Sequence, residues 1–269
     1  MGRMAYNMDM RSGDPFSLAF EYASGATGER SSIATVKEFG ADIVSNAIKN
    51  STRAKENGHR AKLFGLYLWH SLINSLLDSI DDHQMVADAA LNYLSAGRDT
   101  TAQALTWTFY LLMRHPKVMD EVRIQLSCLI SEDLYKATLN LQSNAKKATT
   151  LPDGTFLPKN AVLVWCPWAM NRSKITWGED ADDFKPERWL EDGVLISKTA
   201  FEFPVFNGGT RTCLGKKMAE VVAIQVIAML SVNFNFSPIN AKERISKNSL
   251  TLPMEGGLPC RVSIYHGSA

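Results

Sequence analysis

The chain has 269 residues, 45% of them hydrophobic and 21% charged, which is enough apolar sequence to bury a core and excludes a disordered chain. Its formal net charge of +1 gives no electrostatic reason to expect nucleic-acid binding. The four cysteines form no CxxC pair and the five histidines lack zinc-ligand spacing, so we expect a reducing compartment and no zinc site. No apolar run approaches the ~20 residues that cross a bilayer, and we expect neither a membrane-spanning segment nor a signal peptide.

The first part of the sequence predicts short helices separated by polar connections. Apolar residues recur at helical spacing from Ile33 to Ile48 and again from Leu68 to Ile80. The predicted elements are a turn at Gly13–Pro15, a short helix over Phe16–Ala23, a helix over Ile33–Arg53, a connection over Lys55–Lys62 and a helix over Leu63–Ser79.

The longest periodic segment begins after the Asp81–Asp82 pair, whose charges favour the positive end of a helix. Apolar residues recur every three or four positions from Val86 to Leu112, and Pro116 ends the pattern, which predicts roughly nine helical turns. Residues 96–101 in its middle are Ala-Gly-Arg-Asp-Thr-Thr. Glycine weakens a helix by roughly 1 kcal/mol against alanine, and Asp or Thr can bond to the backbone, so we expect the helix to open locally here.

Shorter elements follow. Pro116 suits the first turn of a helix that continues to Leu126. The later predicted elements are a β-turn within Leu151–Phe156, a strand over Ala161–Cys166, an acidic loop over Trp177–Asp183, and an antiparallel pair within Asn248–Ile264 around a Gly256–Gly257 turn.

A single cysteine, Cys213, lies in a glycine-containing loop over Phe203–Gly215, directly before an apolar helix. The N–H groups and the dipole at the start of a helix stabilise a negative sulfur. Gly208 and Gly209 allow the backbone to approach a large flat ligand, and Arg211 can bind an anionic group on it. The alternative is a buried structural cysteine in front of a packing helix.

The spacing Phe-x-x-Gly-x-Arg-x-Cys-x-Gly resembles the haem-binding loop of the cytochrome P450 family, the haem-thiolate monooxygenases. Five residues carry it: Phe206, Gly209, Arg211, Cys213 and Gly215. Residues 96–101 resemble the oxygen-activating segment of the family's long central helix, for which the alternative is a capped surface turn. Residues 184–189 resemble the family's Pro-Glu-Arg-Phe motif, with tryptophan in place of phenylalanine.

This resemblance implies a mainly α fold, the carboxy-terminal part of the cytochrome P450 fold with small β-hairpins, and one incomplete domain over residues 1–269. It implies that Cys213 is the axial ligand to the iron of haem b. The other implied cofactor-binding residues are Gly97, Phe206, Gly209, Arg211 and Gly215. Asp99 is implied to belong to a proton-delivery route, and Thr100 to orient water or dioxygen. Arg98 is expected to be only a charge on the flank of the helix.

The same resemblance implies insertion of one oxygen atom from dioxygen into a C–H bond of a small hydrophobic substrate, such as a fatty acid or an alkane. Electrons would come from NADPH through a flavoprotein reductase. Full-length relatives are expected at the endoplasmic reticulum membrane, whereas this chain, without their amino-terminal anchor, is expected in the cytoplasm. The alternative is a non-catalytic remnant or interaction protein that cannot retain haem.

One family motif is missing, because no Glu-x-x-Arg occurs anywhere in the sequence. The resemblance implies a helix carrying this motif, which braces the haem loop through an ion network with the arginine matched by Arg188. We predict an internal deletion where Ala137–Asn140 joins the segment beyond it, and we suspect a second one near Arg30–Ile33. Arg188 is then expected to be solvated, as an ordinary surface charge, or paired with a substitute carboxylate, because a buried arginine without one is costly.

Overall fold

The computed structural model describes residues 30–56, 72–125, 141–144, 147–247, 249 and 251–266. The predicted turn at 13–15, the helix at 16–23, most of the connection at 55–62 and the first part of the helix at 63–79 lie outside the described residues. So does the predicted deletion junction at 137–140.

Helices dominate the described part of the chain, as predicted. They are α1 (Arg30–Glu56), α2 (Leu72–Ser79), α3 (His83–Arg114), α4 (Pro116–Gln125), α5 (Pro167–Met170), α6 (Lys174–Trp177) and α7 (Lys216–Asn233). Short 3-10 turns cover Pro186–Trp189, Pro204–Phe206 and Gly209–Arg211. No helix within these described ranges is both long and apolar enough to cross a membrane.

The described strands form small two-stranded antiparallel sheets. They are β1 (Leu141–Asn144), β2 (Thr149–Thr150), β3 (Phe156–Leu157), β4 (Val162–Trp165), β5 (Leu190–Glu191), β6 (Val194–Leu195), β7 (Phe234–Pro238) and β8 (Cys260–Ile264). β1 pairs with β4, β2 with β3, β5 with β6, and β7 with β8. The predicted mainly α fold with small β-hairpins is therefore confirmed.

The long helix α3 has the predicted bounds because both ends are specified by the sequence. The Asp82 carboxylate accepts hydrogen bonds from the backbone N–H groups of Gln84 and Met85, at 2.9 and 3.2 Å, and so caps the helix. At the other end the chain passes through His115 into Pro116. The predicted local opening at residues 96–101 is wrong, since the α-helix continues through them. A glycine penalty of roughly 1 kcal/mol is small enough for the rest of a long helix to override.

The chain divides into two compact units, Met1–Arg98 and Asp99–Ala269, and the division falls within α3. In the first unit, α1, α2 and the first part of α3 pack together. The buried residues of this core are Ile43, Val44, Ala47, Ile73, Val86, Ala87, Ala90 and Leu94. Gly40 allows a close approach of α1 and α3, because a Cβ at this position would lie 2.8 Å from a methyl carbon of Leu91.

The core of the second unit joins the later part of α3 to α4 and α7. Its buried residues are Ala104, Phe109, Leu112, Met119, Val122, Ala223 and Ile227. The cysteine loop contributes the half-buried Phe203, Val205 and Phe206 to the same core. The β7 strand joins through Phe236, whose ring centroid lies 5.0 Å from that of Phe109.

Arg123 of α4 holds the end of α7 and the β7–β8 sheet. Its Nε donates to the Ser231 carbonyl at 2.9 Å, and Nη2 donates to the Asn235 side chain at 2.8 Å. The guanidinium also lies 3.9 Å from the ring centroid of Tyr265, which is a close cation–π contact.

The prediction of an antiparallel pair within Asn248–Ile264 is only partly right. The glycine turn forms, with the Gly257 N–H donating to the Met254 carbonyl at 3.1 Å. However, β8 pairs with β7, and Met254 instead bridges to Ser246. Pro253 has no N–H for a ladder, whereas Phe234 and Phe236 in β7 align with Ile264 and Val262 in β8.

The β5–β6 hairpin was not predicted, although its signal is present. Its turn is Asp192-Gly193, both with positive φ, +51° and +76°. An Asp-Gly pair between two short apolar segments is a strong hairpin signal.

We predict that Leu112→Ala lowers the free energy of unfolding by about 2–5 kcal/mol, because Leu112 is 2% exposed in the core of the second unit. Urea unfolding followed by circular dichroism measures this change. Met229→Ala is the matched control, since Met229 lies on α7 but is 66% exposed. Equal effects of the two substitutions would contradict the assignment of this core.

Candidate functional site: the cysteine loop

The loop that precedes α7 is closed by a short backbone hydrogen bond. The Cys213 N–H donates to the Phe206 carbonyl at 2.7 Å. Gly215 is the N-cap of α7, and the Ala219 N–H donates to its carbonyl at 2.8 Å. Cys213 therefore lies directly before α7, as the sequence predicts.

The glycines of this loop have separate structural roles. A Cβ at Gly208 would lie 2.8 Å from the Cβ of Ala200, so only glycine permits this approach. Gly209 has φ +62°, and no atom lies within 4 Å of the position of its missing Cβ. A Cβ at Gly215 would lie 3.8 Å from the Cys213 sulfur. Glycine at 215 thus keeps a side chain out of contact with the sulfur, whereas Gly209 borders open space.

The side chains at the start of α7 leave the sulfur accessible. Cys213 is a free, exposed thiol, and Arg211 is exposed beside it. Leu214 is 79% exposed and adds an apolar surface. The alternative of a buried structural cysteine is therefore wrong for Cys213.

These features fit a haem. A thiolate is an established axial ligand to haem iron, and one protein sulfur suffices because the porphyrin supplies the other nitrogen ligands. Among the residues that the structure describes, no group of three or more His, Cys, Asp or Glu side chains could hold a bare metal ion. The exposed sulfur, the open glycine positions and the nearby arginine together suit a flat anionic cofactor.

Phe206 anchors the loop to the core of the second unit. Its half-buried ring belongs to the core that contains Ala104 and Leu105 of α3 and Ile227 of α7. Lys216 lies above this ring, with Nζ 5.5 Å from the centroid. The first residues of α7 and the loop are therefore fixed to the same core as α3.

The predicted catalytic residues, Asp99 and Thr100, and the predicted cofactor-binding residue Gly97 are close together in the sequence of α3. Gly97 and Asp99 are half-buried, and Thr100 is exposed. Ala104, one turn after Thr100, is buried in the core that holds Phe206. That Asp99 and Thr100 face Cys213 across a haem stays a prediction.

Arg188 is paired with a substitute carboxylate, as predicted. Its side chain is 10% exposed, and Nη1 lies 3.5 Å from Oδ1 of Asp180. The guanidinium also donates to the backbone carbonyls of Trp177, Asp180 and Asp183, at 3.3, 2.9 and 3.2 Å. Sequence reasoning missed Asp180 as the partner, although it lies within the predicted acidic loop.

A separate cavity of about 480 Å³ lies elsewhere in the second unit. Four aromatic side chains line it, Trp107, Tyr110, Trp168 and Phe184, together with two acidic and two basic residues, Asp182, Glu243, Arg172 and Arg244. None of its lining residues belongs to the cysteine loop. Its balanced charges indicate no particular ligand.

The sequence matches the family model described as Cytochrome P450 over residues 8–133 and 134–260. The two matched pieces meet at residues 133 and 134, close to the predicted deletion junction, and the internal deletion stays a prediction. The first piece includes residues 30–33, where the second deletion was suspected.

Curated relatives support this match. The chain is 34% identical over 257 residues to alkane hydroxylase MAH1 of Arabidopsis thaliana, covering 87% of this chain and 51% of that protein. It is 34% identical over 215 residues to cytochrome P450 704C1 of Pinus taeda, covering 65% and 42%. It is 29% identical to cytochrome P450 monooxygenase cyp1 of Mycosarcoma maydis over 302 residues, covering 96% and 47%. The chain thus spans about half the length of the curated relatives it matches.

A solved structure shows the same fold. The crystal structure of the cytochrome P450DA heme domain superposes with a TM-score of 0.77, at 19% identity, covering 98% of this chain and 64% of that one. The family match extends over most of the sequence. From its sequence, its fold and its relatives, the chain belongs to the cytochrome P450 family.

Proposed function

We propose that this chain carries the haem-binding part of a monooxygenase, with Cys213 as the axial thiolate ligand. The observation that carries the proposal is the cysteine loop, in which an exposed sulfur lies at the start of α7 and is fixed by the 2.7 Å bond from the Cys213 N–H to the Phe206 carbonyl. Arg211 binds an anionic group of the cofactor, and Phe206, Gly209 and Gly215 shape the surface that receives it.

The remaining residues of the proposed site lie on α3. Gly97 leaves room for substrate and dioxygen, Thr100 orients a water molecule or dioxygen, and Asp99 belongs to the route that delivers protons. A bound haem would supply the oxidative chemistry, which consumes dioxygen, two electrons and two protons, inserts one oxygen atom into a C–H bond and releases the other as water. A flavoprotein reductase that oxidises NADPH supplies those electrons.

We propose a long-chain alkane or a fatty acid as the substrate. The support is the relative from Arabidopsis thaliana, an alkane hydroxylase, at 34% identity over 87% of this chain. The experiment is incubation of the purified chain with haem, a flavoprotein reductase, NADPH and a panel of alkanes and fatty acids. Hydroxylated products detected by mass spectrometry support the proposal, and their absence from a haem-loaded chain contradicts it.

We expect Cys213→Ala to abolish the thiolate-type Soret band that the reduced, carbon monoxide-treated chain gives after haem loading, because the axial sulfur is removed. The absorption spectrum measures this directly. Cys166→Ala is the matched control, since Cys166 is also a free thiol but lies outside the loop. A wild-type chain that takes up no haem would support the alternative of a non-catalytic remnant.

We expect Thr100→Ala to lower hydroxylated product per NADPH consumed by about 10²-fold, the lower range for loss of a positioned proton-transfer group. The ratio of product formed to NADPH oxidised is the measurement. Thr106→Ala is the matched control on the same helix, because the Thr106 hydroxyl donates to the Ala102 carbonyl at 2.8 Å. An unchanged ratio in Thr100→Ala would remove Thr100 from the proposed site.

A further inference from the structure

We propose that Asp180 is a positioning residue for the cysteine loop, acting through Arg188 and the tryptophan cluster against which the loop packs. In this chain, which has no Glu-x-x-Arg sequence, the loop that precedes Arg188 supplies the carboxylate itself. An effect of Asp180 on iron ligation by Cys213 rests on the proposed function. An effect of Asp180 on the conformation of the cysteine loop does not.

The first step is the burial of a charge. The Arg188 side chain is 10% exposed, and a buried guanidinium needs a carboxylate and hydrogen-bond acceptors around it. Asp180 supplies the carboxylate at 3.5 Å, and the carbonyls of Trp177, Asp180 and Asp183 accept hydrogen bonds. One cation thereby closes the loop from Trp177 to Asp183.

The second step links Arg188 to aromatic packing. Trp189, the next residue, is buried against Trp177, with ring centroids 5.8 Å apart. The Trp177 carbonyl is one of the groups that Arg188 binds. Arg188 therefore fixes the backbone at one tryptophan and directly precedes the other.

The third step reaches the sulfur loop. The ring of Phe203 packs edge-on against Trp189, with centroids 4.8 Å apart. Phe203 is the N-cap of the 3-10 turn Pro204–Phe206, and the Phe206 carbonyl accepts the Cys213 N–H at 2.7 Å. The path from the Asp180 carboxylate to the Cys213 backbone thus consists of ion pairing, ring packing and one hydrogen bond.

Asp180 is held in its charged form by a second cation. Lys185 donates a hydrogen bond to its other carboxylate oxygen. This hydrogen bond, followed by the charges of Lys185 and Arg188, lowers the pKa of Asp180 below its ordinary value. The carboxylate consequently stays available to Arg188 at neutral pH.

The test compares Asp180→Asn with Glu179→Gln in the haem-free chain. Glu179 is the adjacent carboxylate, pairs with Lys174 at 2.9 Å and is exposed, so its substitution makes the same change in charge without touching Arg188. We expect Asp180→Asn to raise the hydrogen-exchange rate of the Cys213 amide by about 10-fold or more relative to amides in the middle of α7, as loss of this pairing opens the loop locally. Glu179→Gln is expected to leave that ratio unchanged, and equal ratios in the two variants would overturn the proposal.

A double-mutant cycle tests whether Asp180 acts through Arg188. If Asp180 acts through Arg188, Asp180→Asn has little further effect on Cys213 exchange in an Arg188→Met background. Additive effects of the two substitutions would show that Asp180 acts by another route and would overturn the proposal. Because exchange is compared with α7 in the same molecule, a variant that merely unfolds raises both rates together, and that outcome also counts against a positioning role.

A spectroscopic readout connects the loop to iron ligation. After haem loading, we expect Asp180→Asn to convert part of the thiolate-type Soret band of the reduced carbon monoxide complex to the form without thiolate, while Glu179→Gln keeps the wild-type spectrum. An unchanged spectrum in Asp180→Asn would overturn the effect on ligation. If the wild-type chain takes up no haem, the proposed function fails, and the exchange experiment still decides the role of Asp180.

The stabilisation that Asp180 provides is expected to depend on pH. The pKa of Asp180 is lowered in the folded chain. The pairing therefore contributes its full stabilisation at pH values above the ordinary aspartate pKa of about 3.9. This stabilisation is lost as the pH falls through the lowered pKa of the folded chain. The cations that face its carboxylate are Lys185 and Arg188. We therefore expect the difference in urea midpoint between wild type and Asp180→Asn to be constant at neutral pH and to shrink on acidification. A difference that grows on acidification would contradict the assignment.

Discussion

The hydrogen bond from the Cys213 N–H to the Phe206 carbonyl is the constraint on which the functional interpretation depends. It joins Cys213, the proposed iron ligand, to Phe206, which packs into the core. Phe206 belongs to the core of the second unit, so the position of the sulfur is set by the same apolar contacts that hold α3, α4 and α7 together. A side chain on a loop has a well-defined position when the loop is attached to a rigid scaffold in this way.

Two different kinds of support converge on this loop. From one side, the hydrophobic core holds Phe206 and Val205 through non-directional burial. From the other, Phe203 rests on the cluster of Trp177 and Trp189, which is bordered by the ion pair of Arg188 and Asp180. Apolar burial supplies most of the stability, whereas the directional contacts select one arrangement of the backbone. Such a division explains how a glycine-containing segment with two positive-φ residues, Asn207 and Gly209, can hold one conformation.

The elements with long periodic patterns could be predicted from the sequence, and those set by distant pairing could not. The bounds of α3 followed from the Asp81–Asp82 pair and Pro116, and the cysteine loop followed from five closely spaced residues. The predicted partner strand of β8 was wrong. Strand pairing depends on which distant apolar residues align, and here Phe234 and Phe236 of β7 align with β8. The uninterrupted helix at residues 96–101 was also missed, since local propensity is weaker than the cooperativity of a long helix. The sequence predicted that a carboxylate could pair with Arg188, but it did not identify Asp180, because several acidic residues share this loop.

The geometry of Arg123 limits which residues can replace it. Its guanidinium donates hydrogen bonds to Ser231, Phe234 and Asn235 and lies over the Tyr265 ring. A lysine ammonium is a single point of charge and cannot reach these three acceptors and the aromatic face together, so Arg123→Lys is not a conservative substitution. Shortening the chain to Ile264 would remove that aromatic cover and expose the guanidinium to water. The last described strand and the tyrosine after it are therefore part of the folded body, not an expendable tail.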